Sequence, residues 1–458
     1  MHLLQRLLVL QHMTLQKLKI LGLMCLFFIS CLAFGQIPDK LTKEEKIYGL
    51  SKFWQEVNYN FVYLYKVDQA KWDERYREYI YKVQETSNDY EYYRLLQKFC
   101  ATLKDGHTNV YFPKYIQDNI LNNHYGEYRF ILNNIDGKAI ITHINKSRKD
   151  EIPIGTEIIE VNGIPTRKYL DEFVLPYISA STTYTQEDWA ISKLLEGYIG
   201  TTYAIKLSQP NGVEKALNIT IAKSEEKEMF PAIEKRELFE FKWYPNKTAY
   251  ISLNSFSDWE ITEMFREKTK ELKQAESLII DLRKNGGGNT IVGKVILHYL
   301  TEDTVFYGAK SQTRQHIATL KARGNDTYFY DLPYSPDTLG SGDRNLLKKK
   351  RLVVPTAILI GHGTASAAED FLIYADKQHH MTKIGEPTYG STGQPLSFNL
   401  PQGGLARVCT KKDTYPDGRE FVGIGIQPDI LVSKSITDFI ENKDPILEKA
   451  LEFLGEHK

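Results

Sequence analysis

The run Val353-Val-Pro-Thr-Ala-Ile-Leu-Ile360 leads directly into Gly361-His-Gly-Thr-Ala-Ser366-Ala-Ala-Glu369. A nearly continuous apolar run of this length is typical of a strand that is buried on both faces of a sheet. Apolar residues continue through residues 371–374 and predict a helix. A serine at such a strand-to-helix turn lies where unpaired N–H groups and the helix dipole can stabilise an oxyanion. Ser366 is therefore a candidate nucleophile, and a serine that only caps the helix is the alternative.

Further strands and helices alternate on either side of this stretch. Ala249-Tyr-Ile-Ser-Leu253 and Ser277-Leu-Ile-Ile280 are two more apolar runs of strand length, each followed by a helical pattern. This alternation predicts an α/β core over residues 226–458. Polar residues, glycine and proline interrupt the alternation at about 301–350, and we interpret that segment as an insertion over the core.

A glycine-rich loop follows the second of these strands, in the stretch Asp281-Leu-Arg-Lys-Asn-Gly-Gly-Gly-Asn289. Three consecutive glycines let the backbone approach a ligand and direct N–H groups at it, as an oxyanion hole requires. A tight turn and a phosphate loop are the alternatives. A Walker-type phosphate loop ends in Gly-Lys-Ser/Thr, whereas Asn289-Thr290 stands here, so nucleotide binding is disfavoured. The N–H groups of Gly287, Gly288 and Ala367 are the candidate oxyanion-hole donors.

The first half of the chain has two different patterns. Apolar residues at helical spacing predict a helical domain within residues 36–125, and short β-like runs predict a β domain within residues 126–225. In the second of these segments, Ile154-Gly155-Thr-Glu-Ile-Ile-Glu-Val-Asn162-Gly163 reads as a strand that ends in an Asn-Gly turn. By itself this pattern indicates an ordinary β-hairpin.

The amino terminus has the pattern of an export signal. Basic residues precede the apolar run Ile20 to Phe34, and Ala33-Phe34-Gly35 supplies the small residues of a cleavage site before Gln36. The run has about 15 residues, fewer than the ~20 that a membrane-spanning helix needs. Residues 1–35 are therefore predicted to be a signal peptide, with Met13 as a second possible start and a lipid anchor at Cys31 as a weaker alternative.

Charge and cysteine content exclude several classes of function. Lys+Arg and Asp+Glu both number 58, so the overall charge does not indicate a nucleic acid or an anionic membrane as a partner. Only Cys100 and Cys409 follow the signal segment, and their spacing matches no metal motif. We therefore expect no metal and no cofactor.

Two further motifs complete an ordered set. Gly385-Glu-Pro-Thr-Tyr-Gly-Ser391 follows the Ser366 stretch, and Gly423-Ile-Gly-Ile-Gln-Pro-Asp429 comes last. In this order and spacing, the four motifs resemble the tail-specific (C-terminal processing) serine peptidase family. The resemblance implies a core like that of the crotonase and Clp-type peptidases, with an inserted PDZ-like domain and with Ser366 as the attacking residue.

The chain departs from the family's Ser-Lys branch at the general base. That branch has a lysine where this chain has Ser391, and a serine cannot take the nucleophile's proton at neutral pH. Leu103-Lys-Asp-Gly-His107-Thr108 resembles the family's Asp-x-His-Thr segment, from which the tricorn-like branch takes its base. The resemblance to that branch makes His107 the candidate base, and an ordinary imidazole pKa near 6.5 suits this role. Weaker candidates are His362, His379 and His380.

The group that orients this base is left open by the sequence. At the positions where the tricorn-like pattern has a serine and a glutamate, this chain has Gly106 and Val422. Four other residues could orient the imidazole: Asp105, Ser391, Asp417 and Glu420.

Residues 154–163 resemble the signature of PDZ domains, which take up an extended peptide as an added strand and hold its terminal carboxylate. This resemblance implies Gly155, Asn162 and Gly163 as substrate-binding residues. The resulting hypothesis is an exported periplasmic or cell-envelope serine peptidase that cleaves extended or unfolded polypeptides, with recognition of their C-termini as one way of selecting them. An inactive peptide- or ligand-binding protein on the same scaffold and a non-peptide acyl hydrolase are the alternatives.

If residues 1–35 are a signal peptide, the mature protein will begin near Gln36. Mass spectrometry of the native protein checks this expectation. A chain that retains Met1 or Met13 would contradict it.

Overall fold

The computed structural model describes residues 37–324, 328–338 and 351–456. The predicted signal segment lies outside the described residues. Within these ranges, no helix has both the length and the apolar character needed to cross a membrane.

Three helices form the amino-terminal part of the described chain, and each begins at a polar residue that caps it. Their bounds are α1 Lys43–Asn60, α2 Gln69–Gln84 and α3 Asp89–Ala101. The side chains of Thr42, Asp68 and Asn88 accept hydrogen bonds from backbone N–H groups in the first turns, which are otherwise unpaired. The short segments that follow are β1 Asn109–Tyr111, α4 Lys114–Gln117 and β2 Ile120–Leu121.

These helices share one hydrophobic cluster with the carboxy-terminal half of the chain. Trp72 on α2 stacks on Phe99 of α3, with ring centroids 4.4 Å apart, and both rings are fully buried. Because Leu278 and Phe371 belong to the same cluster, the amino-terminal helices cover the α/β core instead of enclosing a core of their own.

Residues 130–230 form a separate β module, with its own hydrophobic cluster. Its seven-stranded sheet has the order β10-β4-β5-β8-β9, with β3 paired to β4 and β6 paired to β5. The strands are β3 Phe130–Ile135, β4 Lys138–Asn145, β5 Glu157–Val161, β6 Ile164–Pro165, β8 Thr202–Ser208, β9 Glu214–Thr220 and β10 Met229–Phe230. Also in this segment are α5 Thr166–Tyr169, α6 Thr183–Ser192 and β7 Gly197–Tyr198.

The predicted Asn-Gly turn joins β5 to β6 in this module. Asn162 and Gly163 both have positive φ, as such a turn requires, and Val161 pairs with Ile164 across it. The likeness of the module to PDZ domains stays a prediction.

The carboxy-terminal half is built around a six-stranded sheet with the order β11-β12-β13-β18-β19-β23. The antiparallel strand β11 lies at one edge, and the other pairs are parallel. The strands are β11 Phe239–Tyr244, β12 Thr248–Leu253, β13 Ser277–Asp281, β18 Thr356–Ile360, β19 Met381–Gly385 and β23 Ile430–Leu431. The helices are α7 Glu260–Leu272, α8 Thr290–Leu297, α10 Ala367–Ala375, α11 Ile436–Ile440 and α12 Pro445–Glu456.

Alternate residues of these strands pack on opposite faces of the sheet. Leu278 and Ile280 of β13 contribute to the cluster shared with the amino-terminal helices. Ile279 contributes to the cluster on the other face, where Ala450 and Leu454 of α12 cover the sheet. The prediction of strands buried on both faces is confirmed.

The predicted insertion contains short elements that lie beside the core. They are β14 Val305–Phe306, β15 Lys310–Arg314, α9 Ala318–Ala322, β16 Phe329–Asp331 and β17 Asp337–Thr338. Strand β15 pairs with β22 (Lys411–Thr414), which follows β20 (Leu396–Asn399) and β21 (Leu405–Val408). Strand β21 in turn pairs with β1, which places the segment after the amino-terminal helices against the carboxy-terminal half.

Candidate active site

Ser366 stands at the turn between β18 and α10. Its backbone has φ 55° and ψ −120°, a conformation that costs a non-glycine residue ~1–3 kcal/mol and that is concentrated at functional sites. Its N–H donates to Oε2 of Glu369 at 3.0 Å, three residues later in α10. The strand, the turn and the helix are those predicted from the sequence.

The glycine-rich loop lies directly against this turn. A Cβ atom on Gly287 would lie 2.7 Å from the Ser366 Cβ and 2.7 Å from the Ala365 carbonyl oxygen, and the φ of Gly287 is +94°. Both the space and the backbone angle therefore require glycine at this position. Asn285 fastens the loop, because its backbone carbonyl accepts from the Ala365 N–H and its Nδ2 donates to the carbonyl of Leu253.

The three predicted oxyanion-hole donors are not equivalent. The Gly287 N–H donates to Oδ1 of Asn285 at 2.9 Å and is therefore already used. The N–H groups of Gly288 and Ala367 have no hydrogen-bond acceptor within the described part of the chain. Gly288 lines the same cavity as Ser366, and Ala367 is the first residue of α10.

His107 lies in this same cavity, which has a volume of about 700 Å³. Its Nδ1 is 2.6 Å from Oγ of Ser391, which is fully buried. Its backbone N–H donates to Oδ1 of Asp105 at 3.0 Å, so the segment before β1 is held as well as the ring. The structure thus brings together Ser366, His107 and Ser391, three residues singled out from distant parts of the sequence.

The surroundings of His107 favour its neutral form. Burial is the main cause and lowers the pKa of the imidazole to about 4. The positive charges of Arg407 and Lys411 act in the same direction, and the negative charge of Asp413 opposes them. With Nδ1 engaged by Ser391, Nε2 is the ring nitrogen without a hydrogen bond among the described residues. A neutral imidazole with a free Nε2 can accept a proton.

Glu369 connects the turn that carries Ser366 to the loop that carries Ser391. This role was not predicted from the sequence. Its fully buried carboxylate accepts four hydrogen bonds, from the N–H groups of Ser366, Gly390 and Ser391 and from Oγ1 of Thr388. Burial raises the pKa of this carboxyl to about 7, against the effect of these four hydrogen bonds. A glutamate three residues after a serine at the start of a helix is a capping-box pattern. This pattern in the sequence could have indicated that Glu369 contacts the backbone of Ser366.

The weaker histidine candidates differ in position. Nδ1 of His362 is 2.6 Å from Oδ2 of Asp188 on α6, and the ring stacks on Tyr184 with centroids 4.4 Å apart. Burial lowers the pKa of His362, but the hydrogen bond and charge of Asp188 outweigh this effect and leave the pKa raised. His362 lines the active-site cavity, whereas His379 and His380 do not.

The structure separates the four candidates for orienting the base. Ser391 contacts the imidazole, whereas Asp105 accepts hydrogen bonds from the backbone N–H of His107 and from the Thr108 hydroxyl. The other two form ion pairs elsewhere, Asp417 with Arg419 and Glu420 with Lys412.

The predicted substrate-binding residues lie outside the active-site cavity. A Cβ on Gly155 would contact Ile440 of α11 at 3.0 Å. Asn162 exchanges hydrogen bonds with the backbone of Ala204 on β8, and Gly163 completes the turn beside it. The β module instead reaches the cavity through α6 and β3, which contribute Thr185, Asp188, Trp189, Ser192 and Asn133.

Metal binding has no support in the described ranges, where no cluster of His, Cys, Asp or Glu could hold an ion. Cys100 and Cys409 are both buried and both free.

Comparison with known families matches residues 247–432 to Peptidase family S41. The α/β core is similar to the peptidases of family S41. The chain is 27% identical over 202 residues to the carboxyl-terminal-processing protease of Synechocystis sp., covering 43% of this chain and 40% of that protein. It is 25% identical over 440 residues to the chloroplastic carboxyl-terminal-processing peptidase 2 of Arabidopsis thaliana, covering 93% of this chain and 76% of that one. The resemblance to the tail-specific peptidases is confirmed.

Solved structures agree on the fold. Mature CPAF in complex with lactacystin has a TM-score of 0.65 at 14% identity, over 90% of this chain and 99% of that chain. A second structure of mature CPAF has a TM-score of 0.61 at 16% identity, over 90% and 96%. The S41 family places the chain among serine-type peptidases, while assignment to the tricorn-like branch stays a prediction.

Replacing Glu369 by Gln will test whether its carboxylate holds the site together. Either orientation of the amide directs an NH₂ group at two of the four donors, and a buried donor without an acceptor costs ~1–3 kcal/mol. This loss competes with the relief of a buried charge, because burial raises the pKa of Glu369 from 4.5 to about 7. We therefore expect the parent to lose stability in urea relative to Glu369→Gln as pH rises from 4.5 to 7. Glu267→Gln, at an exposed position on α7, is the matched control and should leave stability unchanged.

Proposed function

We propose that this protein is an exported serine peptidase that cleaves extended or unfolded polypeptides, with Ser366 as nucleophile and His107 as general base. One observation carries the proposal: His107, held by Ser391 at 2.6 Å, lines the same cavity as Ser366. The described residues offer no lysine at the place of the Ser-Lys base, because that position is Ser391.

The first chemical step follows from this arrangement. Nδ1 of His107 donates its proton to Oγ of Ser391, and this tautomer leaves Nε2 as the acceptor. Nε2 takes the hydroxyl proton of Ser366 while Oγ attacks the carbonyl carbon of the scissile peptide bond. The carbonyl π electrons move to oxygen and form a tetrahedral oxyanion.

The oxyanion forms next to two unoccupied donors. The N–H groups of Gly288 and Ala367 are free to stabilise the negative charge, and the amino end of α10 adds its dipole. Gly287 contributes by letting the loop approach Ser366 closely, since its own N–H is bound to Asn285. Donors of this kind typically contribute ~10²–10³-fold in turnover each.

The remaining steps regenerate the enzyme. The protonated His107 gives its proton to the leaving amine, the C–N bond breaks, and an acyl-Ser366 ester is left. Water then attacks the ester with the same imidazole as base, and this step releases the carboxyl product and restores the Ser366 hydroxyl.

The β module supplies one wall of the cleft, which supports a polypeptide substrate. Nδ2 of Asn134 on β3 donates to Oδ1 of Asp188 on α6 at 2.7 Å, so strand and helix are joined where they meet the cavity. We propose that an extended chain enters along this wall, in the manner of peptides bound by PDZ domains. Export, by contrast, depends on the predicted signal segment.

Loss of either reacting group should abolish hydrolysis without unfolding the protein. We expect Ser366→Ala and His107→Ala to reduce turnover of an unfolded protein substrate by at least ~10³-fold, as measured by release of labelled fragments. His379→Ala, at an exposed position outside the cavity, is the control for the histidine variant.

A fluorophosphonate probe separates the competing functions. Labelling of the parent but not of Ser366→Ala supports an active serine, and a peptide panel then separates a peptidase from another acyl hydrolase. No labelling of the parent, or normal turnover by His107→Ala, would remove the proposed mechanism.

The pH profile tests the environment of the base. Because the folded-state pKa of His107 is about 4, the imidazole loses its proton as pH rises through 4, and kcat/KM should rise there. A separate change near pH 7 is expected from the carboxyl of Glu369, whose pKa is about 7. Arg407→Gln removes a positive charge that disfavours the imidazolium, so the rise should move toward pH 6.5. A rise near pH 6.5 that persists in Glu369→Gln, with the protein folded throughout, would contradict this assignment.

A further inference from the structure

A cavity of about 390 Å³ lies next to the segment that carries His107, outside the active site. All three parts of the chain line it: the amino-terminal helices, the β module through Ser181, and the carboxy-terminal half through Val422 and Gly423. Its volume is within the ~300–1,000 Å³ that is usual for pockets that enclose a small ligand.

Four basic side chains line this cavity, and one of them is paired. Lys71 forms an ion pair with Asp68 at 3.4 Å. The other three have no carboxylate within ion-pair distance in the described part of the chain, and they are Lys66, Arg75 and Lys104.

The second acidic residue on the lining is Asp105, which is buried. Its Oδ1 accepts hydrogen bonds from the N–H of His107 and the hydroxyl of Thr108. Burial raises the pKa of Asp105 to about 6, so the carboxyl is ionised at pH 8. Four cations against two carboxylates leave an excess of two positive charges on the lining. These charges repel one another, and a ligand with two negative charges would remove the repulsion.

The lining continues along the chain into the active site. Lys104 and Asp105 line this cavity, and the next two residues, Gly106 and His107, line the cavity of Ser366. Because Asp105 accepts from the N–H of His107 at 3.0 Å, a displacement of this carboxylate moves the segment that carries the base.

Two further lining residues contact the backbone around the active site. Oγ of Ser181 accepts from the N–H of Gly106 at 2.9 Å. The N–H of Gly423 donates to the carbonyl oxygen of Gly390, the residue before Ser391, at 2.8 Å. A ligand in this cavity would therefore touch the supports of both His107 and Ser391.

We propose that this cavity binds a small phosphate monoester, and that binding stabilises the conformation in which His107 contacts Ser391. A phosphate monoester carries about two negative charges at pH 8, which matches the excess on the lining. Its oxygens accept hydrogen bonds from lysine and arginine. Phe61, Val67 and Val422 also line the cavity and would contact the organic group. The anion site does not depend on the proposed function, whereas its effect on turnover rests on it.

The backbone of Lys104 couples ligand and base. Its φ is 51°, a left-handed conformation that is unfavourable for a residue with a side chain. An anion held by the Lys104 ammonium would favour this conformation over others, and a ligand shifts an equilibrium only through such a difference in affinity.

Calorimetric titration of the full mature chain carrying Ser366→Ala, at pH 8 and constant ionic strength, tests the site without turnover. The probes are phenyl phosphate, inorganic phosphate, benzoate and phenol. We expect phenyl phosphate to bind about 10-fold more tightly than benzoate, because it carries about one more negative charge. It should also bind more tightly than inorganic phosphate, which lacks the apolar group, and phenol should not bind.

Arg75→Gln should weaken binding of phenyl phosphate about 10-fold, and Arg75→Lys should weaken it less, since lysine keeps the charge but not the planar donors. The control is Arg77→Gln, which removes the same charge from an exposed position on α2 outside the cavity and should leave binding unchanged. The thermal midpoint of each variant shows that it is folded. If Arg75→Gln does not fold, Lys66→Gln, at an exposed position on the lining, takes its place.

In the parent with Ser366 intact, phenyl phosphate should raise kcat for an unfolded protein substrate by about 5-fold. The same addition should have no effect on Arg75→Gln at a concentration that saturates the parent.

Absence of binding by either phosphate, or binding that neither Arg75→Gln nor Lys66→Gln weakens, would overturn the inference. Tighter binding of inorganic phosphate than of phenyl phosphate would keep the anion site and assign it to free phosphate. Binding without any change in kcat would remove the link to His107. Binding to a protein whose parent neither labels nor hydrolyses would leave this site and remove the proposed function, and hydrolysis without binding would do the reverse.

Discussion

The burial of one carboxylate positions most of the groups on which the site depends. Glu369 has no exposed surface and accepts hydrogen bonds from the turn of Ser366 and from the loop of Ser391. A charge of this kind is tolerated in an apolar interior only when donors surround it, and here four donors do so. Ser391 in turn fixes the imidazole of His107. Ser366 and His107 are therefore both positioned with reference to one buried group.

A second constraint is the pairing of β1 with β21. Asn109 pairs with Arg407 in register, and this places the preceding residues beside the loop that carries Ser391. The same pairing brings Arg407 to the active-site cavity, where its charge helps to keep the imidazole neutral. The segments around β1 and β21 are far apart in sequence, and together they determine the electrostatic environment of the His107 imidazole.

Local sequence rules were sufficient for the elements near Ser366. An apolar run, a turn and a largely apolar helix are encoded within a few residues, so the order β18, Ser366, α10 and the packing of both sheet faces were predictable. The contact of His107 with Ser391 was not, because it depends on the pairing of β1 with β21 and sequence patterns do not reveal register between distant strands. Resemblance could only suggest the histidine.

Other predictions required knowledge of the folded surroundings. The pKa near 6.5 expected for His107 is an ordinary solution value, and burial together with two nearby cations lowers it to about 4. The donor role of Gly287 was inferred from the run of three glycines after a strand, a pattern that cannot show that Asn285 already occupies that N–H. In the same way, the PDZ-like sequence at Asn162 correctly predicted a local turn, but it could not show that this turn lies outside the active-site cavity.

The active-site cavity lies between elements whose apolar side chains pack into two separate hydrophobic clusters, with Ile191 of α6 in one and Ala367 of α10 in the other. The contact between them includes polar bridges, such as that of His362 with Asp188 and that of Tyr184 with the carbonyl oxygen of Thr388. Such bridges break more readily than a packed core, and parts of a protein with separate cores can open independently. The cavity therefore stays formed only while the β module and the α/β core remain in contact. Heating can break this contact, and with it turnover, before either unit loses its secondary structure.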